Sequence, residues 1–149
     1  MTDEQRVRVK MLQAEVLLAT ENYEVAERIV HELLTQYPKL ADKARTTLLL
    51  GQTKMHVPEK ADEGLLILKK VVADYGSTPS AVTAQYELAV FNLDQDINAA
   101  HIRDLSTWIS DNPGHSLVEK GLERLVQAYL ALTRQQVVPT TFMKLKQRE

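Results

Sequence analysis

The stretch that decides the fold is residues 25–38, VAERIVHELLTQYP, which aligns without a gap with residues 63–76, EGLLILKKVVADYG. In both copies the apolar side chains fall three or four residues apart, which is the spacing of one face of an α-helix. A third copy, AHIRDLSTWISDNP at residues 100–113, keeps apolar residues on the same stripe. The repetition predicts a protein built from similar helical units.

A small residue recurs in the helical pattern that precedes each copy and again in the helical pattern after the third copy. The intervals are 37, 38 and 39 residues, and the residues are Ala14, Gly51, Ala89 and Ala128. A small side chain at one place in a bulky stripe lets two helix axes approach closely. We therefore expect antiparallel helix pairs. The predicted helices lie near residues 3–20, 23–36, 40–56, 60–75, 79–94, 98–111, 116–134 and 140–147.

Capping signals support several of these helix starts. Thr2 with Gln5, and Ser116 with Glu119, fit the capping box, in which each side chain satisfies a free backbone amide of the other residue. Thr78 stands before a proline and is predicted to cap the fifth helix.

Composition indicates one all-α domain over residues 1–149. The chain is 44% apolar and 26% charged, with only 5% aromatic residues, 5 Gly and 5 Pro. So few turn residues disfavour a fold of many short strands. The predicted units are residues 3–38, 40–76, 79–113 and 116–149, the last incomplete, which makes about 3.5–4 repeats.

Charge and cysteine content exclude several classes of protein. The formal net charge is −2, so nucleic acid is not an expected partner; the basic residues Lys144, Lys146 and Arg148 indicate a solvated tail. The absence of cysteine excludes disulfides and thiolate metal sites. The N-terminal residues MTDEQR are polar, so direct membrane insertion is not expected. As written, the chain is predicted to be cytoplasmic, or periplasmic if an export signal has been removed.

The small residues and prolines resemble the tetratricopeptide (TPR) repeat pattern over about residues 5–133. Ala14, Ala26 and Pro38 match that family's positions 8, 20 and 32 without a gap. The segments at residues 36–38 and 74–76 look like the longer-period bacterial subtype found in envelope-assembly proteins. The resemblance implies a right-handed α-solenoid of antiparallel helix pairs. The chain departs from the pattern at His101, where a small residue is expected, and at Lys54, where a tyrosine is expected.

In such a solenoid the first helix of each pair faces a concave groove, and the resemblance implies which positions line it. Asparagine is absent from the positions at which chaperone-binding members hold a peptide carboxylate, so an aliphatic groove for a partner peptide or helix is expected instead. Met11, Leu48 and Leu125 could equally fill the core, whereas Tyr86 and Tyr129 are typical of interfaces. The predicted partner-binding residues are Arg8, Met11, Glu15, Arg45, Leu48, Gln52, Met55, Thr83, Tyr86, Val90, Leu122, Leu125 and Tyr129.

The sequence shows no catalytic or metal-binding constellation, and no cofactor is predicted. The four histidines lack metal-ligand spacing, and the aspartates near residue 95 lack the glycine and glutamate of a calcium loop. Trp108 is expected in the core.

Three functions remain open. The leading hypothesis is a non-enzymatic interaction module in assembly of a bacterial envelope complex. The second is a self-associating subunit, since the truncated last unit with Phe142, Met143 and Leu145 could pair with another copy. An enzyme, or an accessory subunit of one, is the third.

Overall fold

The computed structural model describes the backbone of residues 1–148 and the side chains of residues 1–135. This part of the chain is all-α, 81% helical and without strands, which confirms the predicted class. A 3₁₀ turn at Pro58–Lys60 leads into α4. The helices are α1 (Asp3–Ala19), α2 (Tyr23–Gln36), α3 (Lys43–Met55), α4 (Ala61–Asp74), α5 (Pro79–Gln95), α6 (Ala99–Asp111) and α7 (Val118–Arg148).

The chain divides into two compact units, Met1–Leu88 and Ala89–Glu149. The division falls inside α5 and not at one of the predicted unit boundaries. The single domain expected over residues 1–149 stays a prediction.

The first unit contains α1 to α4 and the beginning of α5. Helix α1 packs on α2, α2 on α3 and α3 on α4, and α1 also contacts α3. Apolar side chains between α1, α2 and α3 form one core cluster: Val7, Met11, Ala14, Val30, Leu33, Ala41 and Leu49. A second cluster joins α3, α4 and α5 through Leu48, Leu68, Val71, Ala81 and Ala84. Two of the recurring small residues are buried here as expected, Ala14 on α1 and Gly51 on α3.

In the second unit α6 packs on α7. The buried side chains of α6 are Ile102, Leu105 and Trp108, which follow the apolar stripe of the third sequence copy. Trp108 meets the ring of His115 edge-on at 5.0 Å between ring centroids. The core position predicted for Trp108 is confirmed.

Local hydrogen bonds explain where several helices begin and end. The capping box of Thr2 and Gln5 is present, and Thr78 Oγ1 accepts from the Ala81 amide at 3.2 Å. Helix α1 ends in a turn in which Glu21 has a positive φ of 65° and the Asn22 amide donates to the Leu17 carbonyl. That pattern closes a helix, and glycine usually occupies the positive-φ position.

Three predicted boundaries are wrong. Helix α3 begins at Lys43 and not near residue 40, because the side chain of Asp42 caps it by accepting from the Arg45 amide. Helix α7 begins at Val118, so the capping box predicted at Ser116 does not start it; there the His115 ring accepts from the Leu117 amide. Helix α7 also runs unbroken through Pro139, where a break and a separate helix at 140–147 were predicted. Proline removes one backbone donor, and a helix can continue with that bond missing.

Candidate partner-binding groove

Two adjoining depressions lie on the face of the first unit formed by α1, α3 and the start of α5. The first has a volume of about 370 Å³ and is lined by Val7, Arg8, Met11, Leu12, Leu40, Asp42 and Arg45. The second has a volume of about 310 Å³ and is lined by Glu15, Leu18, Arg45, Leu48, Leu49, Gln52, Pro79, Ser80 and Thr83. Arg45 lines both depressions, and we call the two together the groove.

An ion pair crosses the groove between α1 and α3. Arg45 Nε donates to Glu15 Oε1 at 2.7 Å, and Arg45 Nη2 contacts the same oxygen. Both side chains are partly exposed, so water screens their attraction and the pair adds little stability. Its main effect is to hold the Arg45 side chain between the two helices, where a bound segment would meet it.

A second polar contact links α3 to α5. Gln52 Nε2 donates to Glu87 Oε1 at 3.2 Å. The second depression thus combines polar side chains such as Glu15 and Gln52 with apolar surface from Leu18, Leu48 and Leu49. Such a surface suits a segment that inserts an apolar side chain and pairs polar groups at the edges.

The structure brings seven of the thirteen predicted binding residues to the groove: Arg8, Met11, Glu15, Arg45, Leu48, Gln52 and Thr83. Of these, Met11 and Leu48 are buried and belong to the two core clusters, so they expose little surface to a ligand. The polar members supply most of the groups that a ligand could contact, and Arg8 is exposed at the edge of the groove.

Six predicted residues lie elsewhere. Tyr86 is only 7% exposed, and Leu125 is also buried, which matches the packing alternative for that leucine. Met55 is half-buried against the second core cluster, and Val90 is half-buried in the second unit. Leu122 and Tyr129 are exposed on α7. Tyr129 lines a separate depression of about 300 Å³ with Ala99, Ile102, Arg103, Ser106 and Leu132.

Eight residues that line the groove were not among the predicted binding residues: Val7, Leu12, Leu18, Leu40, Asp42, Leu49, Pro79 and Ser80. Glu87, which contacts the groove residue Gln52, was also not predicted. Asp42 and Pro79 carried a signal, because both stand at helix starts, and a helix start is where a chain turns toward its neighbours. Leu40 and Ser80 carry no sequence signal that separates them from ordinary loop and helix residues.

An ionic network around the buried Lys54 and Glu27 joins α2, α3 and α4 in the first unit. Lys54 Nζ lies 2.8 Å from Glu63 Oε1 and 3.3 Å from Glu27 Oε1, while Lys60 Nζ lies 2.8 Å from Glu27 Oε2. Burial alone would raise the pKa of Glu27, but the hydrogen bonds and charges of Lys60 and Lys54 outweigh it, so the pKa is lowered. The hydrogen bond to Glu63 raises the pKa of Lys54 against the opposing effect of burial. Both charges are thus stabilised in the folded state.

We expect acid to destabilise the first unit through Glu27. Its pKa is lower in the folded than in the unfolded chain, so its stabilising effect is complete above the ordinary glutamate pKa of about 4.3 and is lost as pH falls through the lowered value. Melting temperatures measured stepwise across the acid range should fall less steeply for Glu27→Gln than for the wild type. Equal slopes would contradict this role for Glu27.

The histidines and the suggested calcium-type aspartates have other contacts. His56 stacks on Tyr23, His31 lies beside Glu27, and His101 Nδ1 lies 2.6 Å from the Asp96 carbonyl. Asp94 accepts from Arg124 Nε at 2.6 Å, and Asp96 accepts from Asn98. Among the residues that the structure describes, no group of three or more His, Cys, Asp or Glu side chains could hold a metal ion.

Comparisons with known proteins assign this chain to no family, so its class rests on its fold and its groove. The chain matches no protein-family model, no curated protein and no solved structure. Within the described part of the chain, none of the helices combines the length and the apolar content needed to cross a membrane.

Proposed function

We propose that the chain is a TPR-like right-handed α-solenoid of about 3.5–4 helix pairs. The packing of α1 on α2, α2 on α3 and α3 on α4 supports this, because each helix contacts its successor as in a stack of pairs. The burial of Ala14 and Gly51 at matching places in α1 and α3 supports it as well.

On this fold we propose a non-enzymatic interaction module that binds a partner peptide or helix in the groove. The observation that carries the proposal is the convergence of polar side chains from α1, α3 and α5 on two adjoining depressions with leucine side chains in their lining. Repeat proteins place their ligands on the surface formed by such successive helices.

The groove favours a segment with an apolar side chain and an acidic group. Leu18 and Leu49 supply apolar contact in the second depression, and Arg8 is exposed in the first. The charge of Arg45 is already paired with Glu15, so Arg8 is the cation that a partner carboxylate would meet. A role in bacterial envelope assembly belongs to the same proposal and rests on the resemblance to the longer-period subtype.

Two substitutions test the groove, one in each depression. Arg8→Glu reverses the exposed charge of the first, and Thr83→Trp fills the second with a bulky ring. We expect each to reduce capture of the partner from an extract of the native host at least about tenfold, a loss of about 1.4 kcal/mol of binding free energy. Quantitative mass spectrometry of proteins bound to the immobilised chain measures the loss.

The matched control is Lys70→Glu on α4, which makes the same charge change at an exposed residue outside the groove. It should capture the same proteins as the wild type, and circular dichroism should show all three variants folded. Undiminished capture by both groove variants would refute the proposal.

A further inference from the structure

A third depression of the first unit, of about 510 Å³, lies on an apolar side of α1. Its lining residues, which we call the α1 face, are Val9, Leu12, Gln13, Val16, Leu17 and Ile29. Val9, Leu12 and Val16 are 42%, 58% and 60% exposed. Contiguous apolar side chains left in water mark a surface that another body covers. The α1 face meets the groove only at Leu12.

The repeat within the chain shows what kind of surface covers such a face. Ala14 and Gly51 are 37 residues apart, and the same shift carries Val9, Leu12, Gln13 and Val16 onto Thr46, Leu49, Leu50 and Thr53 of α3. Thr46 and Thr53 are buried, and Leu49 and Leu50 pack in the core cluster that includes Val30 and Leu33 of α2. On α3, therefore, helices of this chain cover the equivalent face. The α1 face has the residue pattern that receives helices of the same kind.

A second uncovered apolar surface lies on α7. Its residues, which we call the α7 stripe, are Leu122, Val126, Tyr129 and Leu130. They follow the helical spacing of four, seven and eight residues, so they share one side of the helix. Of the eleven large apolar side chains exposed in the described part of the chain, eight lie on α1, α2 or this stripe.

Charge at the edges favours contact between the two surfaces. Glu119 and Glu123 are exposed on α7, three residues before Leu122 and Val126 of the stripe respectively. Arg28 is exposed next to Ile29 at the edge of the α1 face, whereas Arg6, three residues before Val9, is paired with Asp3 at 3.1 Å. Opposite charges around two apolar patches steer them toward each other and disfavour pairing of like patches.

We propose that the α7 stripe of one copy docks on the α1 face of a second copy. The two surfaces differ, so the contact is heterologous, and each assembled pair still has one free α1 face and one free stripe. We expect copies to add head to tail in this way beyond a dimer. This inference uses surfaces other than the groove residues tested above, and its failure would leave the proposed function untouched.

Sedimentation velocity of the full chain, from micromolar concentration upward, tests the proposal. The wild type should show a mass that rises with concentration past that of a dimer. Val16→Glu and Val126→Glu each place a charge in one of the two surfaces, and each should be monomeric. Both residues are exposed, so circular dichroism should show both variants folded.

A mixture of the two variants gives the sharpest outcome. Val16→Glu retains the α7 stripe and Val126→Glu retains the α1 face, so the mixture should form a dimer and nothing larger. The control Leu66→Glu alters an exposed apolar residue of α4 and should associate as the wild type does. A wild type that is monomeric at every concentration, a Val126→Glu variant that associates normally, or a mixture that stays monomeric would overturn the proposal.

Discussion

Replacing Gly64 with alanine is expected to destabilise the first unit by about 2–3 kcal/mol, even after the roughly 1 kcal/mol by which alanine favours a helix over glycine. Gly64 lies on α4 where that helix meets α3. A Cβ atom there would overlap the Met55 amide nitrogen and lie 2.8 Å from the Gly51 carbonyl oxygen. Both obstacles are backbone atoms, so no side-chain rotation relieves the contact and the two helices must separate.

Urea unfolding of Gly64→Ala beside two other glycine variants measures this effect. At Gly51 an added Cβ would lie 2.8 Å from Leu68 Cδ2, the end of a side chain that can move, so a smaller loss is expected. At Gly114 an added Cβ would meet no atom within 4 Å, so Gly114→Ala should be close to neutral. A Gly64→Ala variant as stable as Gly114→Ala would show that α3 and α4 do not approach this closely.

Replacing Lys54 with methionine is expected to cost about 2–3 kcal/mol of unfolding free energy. Lys54 is 7% exposed and Glu27 is 9% exposed, so removing the lysine charge leaves a buried carboxylate with less compensation. Breaking such a pair from one side usually costs about 3–5 kcal/mol, but Lys60 still holds Glu27 at 2.8 Å and reduces the loss.

Two further variants separate the buried pair from its exposed neighbour. Lys60 is partly exposed, so Lys60→Met should cost less than about 1 kcal/mol. The double variant Glu27→Leu with Lys54→Met replaces both charges by apolar groups and should recover much of the loss. Thermal and urea unfolding of the four chains give the comparison. If Lys54→Met alone were as stable as the wild type, the network would have no part in holding α2, α3 and α4 together.

Much of the helical architecture was predictable because its signals are local. The apolar stripe of residues 25–38 predicts α2 at its observed bounds, and Thr2 and Thr78 mark helix starts that the structure confirms. The end of α1 carried a weaker signal, because glutamate and not glycine occupies the positive-φ position there. The continuous α7 was missed because Pro139 was taken as a break.

The groove was predictable only as a set of helix positions. Arg8, Glu15, Arg45 and Gln52 lie in its two depressions as the register implied. The register did not predict which of these helix positions are buried, as Tyr86 and Tyr129 show. Both were expected at an interface, yet Tyr86 is buried while Tyr129 is 54% exposed.

The sequence by itself determined the helical class, and its spacing of apolar residues along the chain shows a repeat and an apolar side in several helices. Only the tertiary structure decided how deeply each apolar side chain is buried and which charges meet. Those outcomes depend on the distance between neighbouring helices, as where Gly64 lets α4 approach α3, and on contacts such as that of Lys54 with Glu27, 27 residues away along the chain.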